Sequence, residues 1–163
     1  MRGNEAAPRT LVWGIKDSLI RYVRGMSDGS VQVSGSAIET AEGFRFPPDP
    51  EPDPGPGSHG APLRFRGAVV LTGHSGMLRI CFSDPWLIPG PSPYDPWSIT
   101  MSDPFEAGKR LVFAKIDRVD HDDSGALKCS GTRLTETGSD LFFAGPYTPG
   151  TKLDDPAVGR AAR

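Results

Sequence analysis

Four side chains of this sequence join a reactive or hydrogen-bonding group to a distinctive setting: Ser18, Tyr22, His74 and Tyr147. Tyr22 lies in WGIKDSLIRYV, Trp13 to Val23, where Ile15, Leu19, Tyr22 and Val23 fall at i, i+4, i+7 and i+8 and share one apolar helical face. Ser18 precedes Tyr22 by one turn. Taken alone, a tyrosine in that position packs in a core and bonds through its hydroxyl. His74 sits in Gly73-His74-Ser75-Gly76, a turn whose glycines permit positive φ and leave the imidazole projecting; by itself it reads as a polar turn residue. Tyr147 lies between Pro146 and Pro149, which stiffen its position.

The remaining candidates read as structural. His59 shares a loop with Asp49, Glu51 and Asp53, a weak metal signal whose simplest reading is no role, and His121 among Asp120, Asp122 and Asp123 is a solvated turn without the ordered oxygens that Ca²⁺ requires. Cys81 and Cys129 each fall inside a strand-like run and read as small core residues, with a single bridge left open if their strands are neighbours. There is no glycine-rich phosphate loop before a helix, no paired Cys/His zinc spacing and no nucleophile elbow; His74-Ser75 only superficially suggests a serine site.

These residues need a scaffold to hold them. The 163 residues carry 20 glycines and 17 prolines, with short apolar runs between them, which predicts many short strands joined by turns. The expected fold is mainly β: an antiparallel two-sheet sandwich or partly open barrel with one short N-terminal helix and a short C-terminal helical turn. One domain covers 1–163, with a core over 10–156, a proline-rich loop at 47–62 and a frayed tail at 157–163. A formal charge of -2 with scattered Lys and Arg leaves no basic footprint for nucleic acid. No apolar run is long enough for membrane insertion and no export signal or anchor is visible, so the chain as written is expected in the cytoplasm, or extracellularly or at the cell envelope if its start lies upstream.

In order, Thr10 to Trp13 is a strand, and the chain turns at Gly14 into a helix of about nine residues that Gly25 ends in left-handed geometry. Brief strands follow at Ser30 to Ser34, Ala37 to Glu39 and Gly43 to Phe46. Leu63, Phe65, Val69 and Leu71 alternate as one strand that forms a hairpin with Leu78, Ile80 and Phe82. Trp86 to Trp97 is an irregular connection whose Trp86, Tyr94 and Trp97 cover a core edge or line a cleft. Ile99 to Ser102, Arg110 to Val119 and Leu127 to Thr135 are strands, and Gly138 to Gly145 holds one helical turn.

Four features stand in order: the WGIKDSLIRYV helix, GFRFP at Gly43 to Pro47, FRGAVVLTGHSGMLRICFSDP at Phe65 to Pro85, and FAGPYTPGTKLDDP at Phe143 to Pro156. Together they resemble the HtaA domain family of actinobacterial haem-binding proteins. The resemblance implies a β-rich domain that binds ferric haem b through a tyrosine of its opening helix, a position matched by Tyr22. It further implies that the histidine of the GH motif, His74, supports that ligand by a hydrogen bond, and that Tyr147 is the tyrosine before the PG turn. A phenolate is a hard anionic donor suited to Fe(III). Ser18 and Tyr147 are candidates for the propionates, and the helix face with Phe142, Phe143 or Trp86 for the apolar slot.

The partners this implies are haem and another haem-carrier or transporter protein, with the chain a monomer or a homodimer. Two other readings compete: an interaction module that keeps the fold without haem, and a haem-dependent peroxidase-like enzyme, disfavoured because no distal acid-base residue is evident.

Overall fold

The computed structural model describes residues 9–50, 62–142 and 147–160. The elements are β1 (Arg9–Trp13), α1 (Asp17–Gly25), β2 (Ser30–Ser34), β3 (Ile38–Thr40), β4 (Gly43–Phe46), β5 (Leu63–Arg64), β6 (Ala68–Gly73), β7 (Leu78–Ser83), β8 (Trp86–Ile88), β9 (Trp97–Ser102), β10 (Arg110–His121), β11 (Leu127–Leu134), α2 (Glu136–Ser139) and β12 (Ala157–Arg160). A 3-10 turn, His74–Gly76, joins β6 to β7, and a second, Asp140–Phe142, follows α2.

Nine strands make one antiparallel sheet in the order β3-β4-β1-β12-β11-β10-β9-β8-β5, curled into a half-barrel, and β2-β6-β7 make a small second sheet. This is the mainly β architecture expected, on the partly open barrel side of the two alternatives. Phe113 is the hub between the sheets. A register shift between Val112 and Ala114 of β10 turns Phe113 and Ala114 inward together, both fully buried. Phe113 then meets Trp13 edge-on at 6.0 Å, Phe82 of the small sheet at 5.2 Å and Phe142 at 6.4 Å.

Several expectations need correction. The alternation from Leu63 to Leu71 is not one strand. Leu63 and Arg64 pair with β8 in the large sheet, whereas Ala68 to Gly73 pair with β2 and β7 in the small one. The break is at Gly67, whose φ of 119° excludes other residues and whose missing Cβ would lie 2.5 Å from the Ala37 nitrogen. The Asp84 carboxylate accepts the Gly67 N–H at 3.0 Å and fixes this corner.

Helix α1 has the expected nine residues but another start and another end. Ile15 precedes it, buried at φ 64° in the turn, so it contributes no helical row. The buried stripe is Leu19, Ile20 and Val23, and Tyr22 falls on its flank, 53% exposed rather than packed in the core. Gly25 is the last helical residue and has no positive φ; the chain leaves in extended conformation at Met26, whose N–H donates to the Val23 carbonyl.

The segment after Asp155 is not a frayed tail. Residues Ala157–Arg160 insert as β12 between β1 and β11, with Val158 opposite both Leu11 and Leu127. Two waiting strand edges supply the hydrogen bonds that a free terminus would lack. Trp86 to Trp97 is also not wholly irregular, since it contains β8. Tyr94 is 95% exposed and covers nothing, while Trp86 carries the guanidinium groups of Arg64 at 4.5 Å and Arg110 at 3.8 Å over its ring. Burial pulls the Arg110 guanidinium down to about 10. Both cysteines are free thiols, Cys129 buried in β11 and Cys81 half-buried in β7.

Candidate functional site

Tyr22 is delivered by a helix that is fastened at both ends. Lys16 offers no side-chain cap, and the segment before β12 supplies the missing acceptor: the Asp17 N–H donates to Asp154 Oδ2 at 3.0 Å. That segment grips the β1–α1 turn at three further points. Trp13 Nε1 donates to the Asp154 carbonyl at 2.8 Å, the Asp154 N–H to the Ile15 carbonyl at 2.9 Å, and Lys16 Nζ to the Lys152 carbonyl at 2.9 Å. At the far end Arg24, in the last turn where the helix dipole favours a cation, pairs with Glu39 of β3. The buried stripe glues one side of α1 to the core, which leaves the Tyr22 flank facing solvent.

His74 reaches that flank from the small sheet. It opens the 3-10 turn after β6 with φ 49°, followed by Ser75 at 56° and Gly76 at 88°. The positive φ expected of the glycines thus falls on His74, Ser75 and Gly76, while Gly73 is extended. Two successive non-glycine residues in left-handed geometry are costly and mark a turn held by its surroundings. The result is a contact across 52 residues: the Tyr22 hydroxyl and His74 Nε2 are hydrogen-bonded at 2.9 Å, with ring centroids 5.9 Å apart. In the Nε2–H tautomer the imidazole donates to the tyrosine oxygen, and this form favours a phenolate.

Tyr147 completes the group. It is half-buried against Phe142, ring centroids 4.8 Å apart, and burial pushes its phenol above the usual tyrosine value. A smaller upward push comes from the Tyr22 phenol. Ser18 is exposed on α1, one turn before Tyr22.

The structure therefore brings Tyr22 and His74 into contact, with Ser18 one turn away, and packs Tyr147 on Phe142. Phe143 lies outside the described residues, as does His59. Phe142 is described and buried, but Trp86 has its ring taken up by Arg64 and Arg110, and the apolar stripe of α1 is spent on the core. His121 is exposed at the end of β10, and the neighbouring Asp122 closes its own turn by accepting from the Ser124 hydroxyl and from the Ala126 and Ser124 N–H groups, which hold its carboxyl below the usual range. Among the described residues, no group of three or more His, Cys, Asp or Glu is placed to hold a metal ion, and no helix is long and apolar enough to cross a membrane.

Two neighbours escaped the sequence reading. Asp28, which precedes Gly29 after α1, accepts the Ser75 N–H at 2.6 Å. Met77, directly after the His74 turn, is 83% exposed. An aspartate before glycine and a lone methionine carry no local signal of a site.

The C-terminal domain of HtaA from Corynebacterium glutamicum has a similar structure, with TM-score 0.67 at 22% identity, covering 94% of this chain and 95% of that one. The N-terminal domain of the same protein gives TM-score 0.68 at 17% identity, covering 96% and 99%. A domain-swapped dimer of a histidine-to-alanine variant of the C-terminal domain gives 0.57 at 20% identity, covering 92% and 94%. No curated protein matches in sequence. The family model named HtaA matches residues 9–158, nearly the whole chain, and this protein belongs to the HtaA domain family.

Proposed function

We propose that this protein binds ferric haem b with Tyr22 as tyrosinate axial ligand, for haem capture, transfer or buffering rather than for catalysis. The observation that carries the reading is the exposed Tyr22 hydroxyl bonded to His74 Nε2 at 2.9 Å. Membership of the HtaA family supports it.

The donor set suits the ligand. A free tyrosine titrates near pH ~10, so a phenolate at neutral pH needs a positive neighbour and a hydrogen-bond donor. Ferric haem, when bound, supplies the positive charge and a preference for hard anionic oxygen. His74 supplies the donor. Tyr147, with its phenol kept neutral by burial, retains an O–H that can donate to a carboxylate, so Tyr147 and Ser18 are assigned to the propionates. Phe142 and Phe143 are assigned to the apolar contact with the macrocycle. Partners on this reading are haem and a second haem carrier or transporter, with the chain working as monomer or homodimer.

Titration of the apo protein with hemin, followed by visible spectroscopy for wild type and Tyr22→Phe, tests the reading. One-to-one binding with a high-spin ferric tyrosinate spectrum, lost in the variant, is the expected result. If wild type does not bind hemin, or the variant keeps the same spectrum, the haem assignment is wrong and an interaction module on the same fold takes its place.

A further inference from the structure

We infer that Asp28 is a positioning residue for His74: its carboxylate pins the two left-handed residues His74 and Ser75 so that the imidazole stays turned toward Tyr22. The geometry stands by itself, and its consequence for haem rests on the proposed function.

His74 and Ser75 at φ 49° and 56° are backbone conformations that an unsupported turn would leave. What supports them is a charged acceptor. The Ser75 N–H donates to Asp28 Oδ2 at 2.6 Å, a charge-assisted bond across 47 residues. Successive left-handed residues turn their N–H groups into one concavity, and a carboxylate is the anion such a concavity takes. The Asp28 carboxyl is accordingly held below the usual range, first by the Ser75 N–H and in smaller part by the His74 N–H and the His74 ring.

Asp28 itself is held by the turn that ends α1. The Met26 N–H donates to the Val23 carbonyl and the Gly29 N–H to the Met26 carbonyl. Packing there is tight enough that a Cβ on Gly29 would lie 1.7 Å from the Val23 carbonyl oxygen, and one on Gly73 would lie 2.7 Å from Met26 Cε. Tyr22 and Asp28 therefore belong to one unit, and the His74 turn is tied to it at two points. Of the two ties, the Asp28 one does not involve the Tyr22 oxygen, so it holds the imidazole in donating position whatever else that oxygen binds.

The test uses the full chain with Asp28→Ala and Asp28→Asn. In the apo protein, NMR of Asp28→Ala should show faster exchange of the Ser75 amide and loss of the nuclear Overhauser contact between the Tyr22 and His74 rings. Hemin transfer to excess apomyoglobin should then be about tenfold faster in Asp28→Ala, the factor expected from one hydrogen bond to a charged group. Asp28→Asn keeps an acceptor oxygen without the charge and should fall between wild type and Asp28→Ala in both signals; if Asp28→Ala fails to fold, a partial loss in Asp28→Asn supports the tie and wild-type signals overturn it. Wild-type ring contacts and a wild-type hemin release rate in Asp28→Ala, with Tyr22→Phe unable to bind, would overturn the role of Asp28 and leave the haem reading standing. If Tyr22→Phe binds hemin as wild type does, the haem reading falls and the apo ring contact alone decides for or against Asp28.

Discussion

Replacing Tyr22 by phenylalanine should separate folding from ligand binding, because the residue contributes little to the first. Its ring is 53% exposed and its hydroxyl bonds to a histidine that is itself exposed. Deleting the oxygen leaves His74 Nε2 free to bond to water, so no buried group is orphaned. A hydrogen bond of this kind is worth about 0.5–1 kcal/mol net. In a chain of this length that is a fall in Tm of roughly 1–4 °C. The effect on hemin should be far larger. Loss of a partner outside the ligand shell typically costs about 10–100-fold in metal affinity, the range expected of His74→Ala, and loss of the ligand oxygen should exceed it. Urea unfolding followed by circular dichroism measures the first quantity and hemin titration of both variants the second. Two results would refute the reasoning: destabilisation of apo Tyr22→Phe by more than about 2 kcal/mol, which would make Tyr22 a structural residue, or an affinity loss no greater than that of His74→Ala.

Two further outcomes follow from the scaffold. Asp154→Ala removes the only side-chain acceptor at the start of α1 among the described residues and should cost about 1 kcal/mol by urea unfolding, with Asp154→Asn restoring most of it. Cys129 gives a pH dependence: burial, helped by the nearby negative charge of Asp155, pushes its thiol up to about 12 from 9.0. Below the unfolded value both states keep the proton. Above it the unfolded chain ionises first and binds fewer protons, so stability falls as pH rises, by about 2 kcal/mol at roughly pH 10.5. Urea melts across that window should show the fall in wild type and a shallower one in Cys129→Ala; equal slopes would mean that the thiol ionises freely in the folded state.

Most of the strands, the β6–β7 hairpin and the length of the first helix were legible in the sequence, because alternation, helical spacing and turn residues are local properties of a chain. The motif order around Tyr22, His74 and Tyr147 pointed to the family for the same reason. Alternation is blind to a change of sheet, however, and Leu63 to Leu71 reads as one strand although Gly67, pressed against Ala37, sends its halves into different sheets. Periodicity counted Ile15 into a helix that begins at Asp17 and so drew Tyr22 onto the buried face. The last strand had no local signal strong enough to mark it; Ala157–Arg160 is ordered by the open edges of β1 and β11, whose residues lie far away in sequence. The site depends on the same kind of event. Pairing of β2 with β6 brings the end of α1 to the His74 turn, and only then do Tyr22 and Asp28 meet partners 52 and 47 residues away. Local pattern decides which elements form, whereas burial and long-range strand pairing decide which side chain is left exposed and what stands beside it.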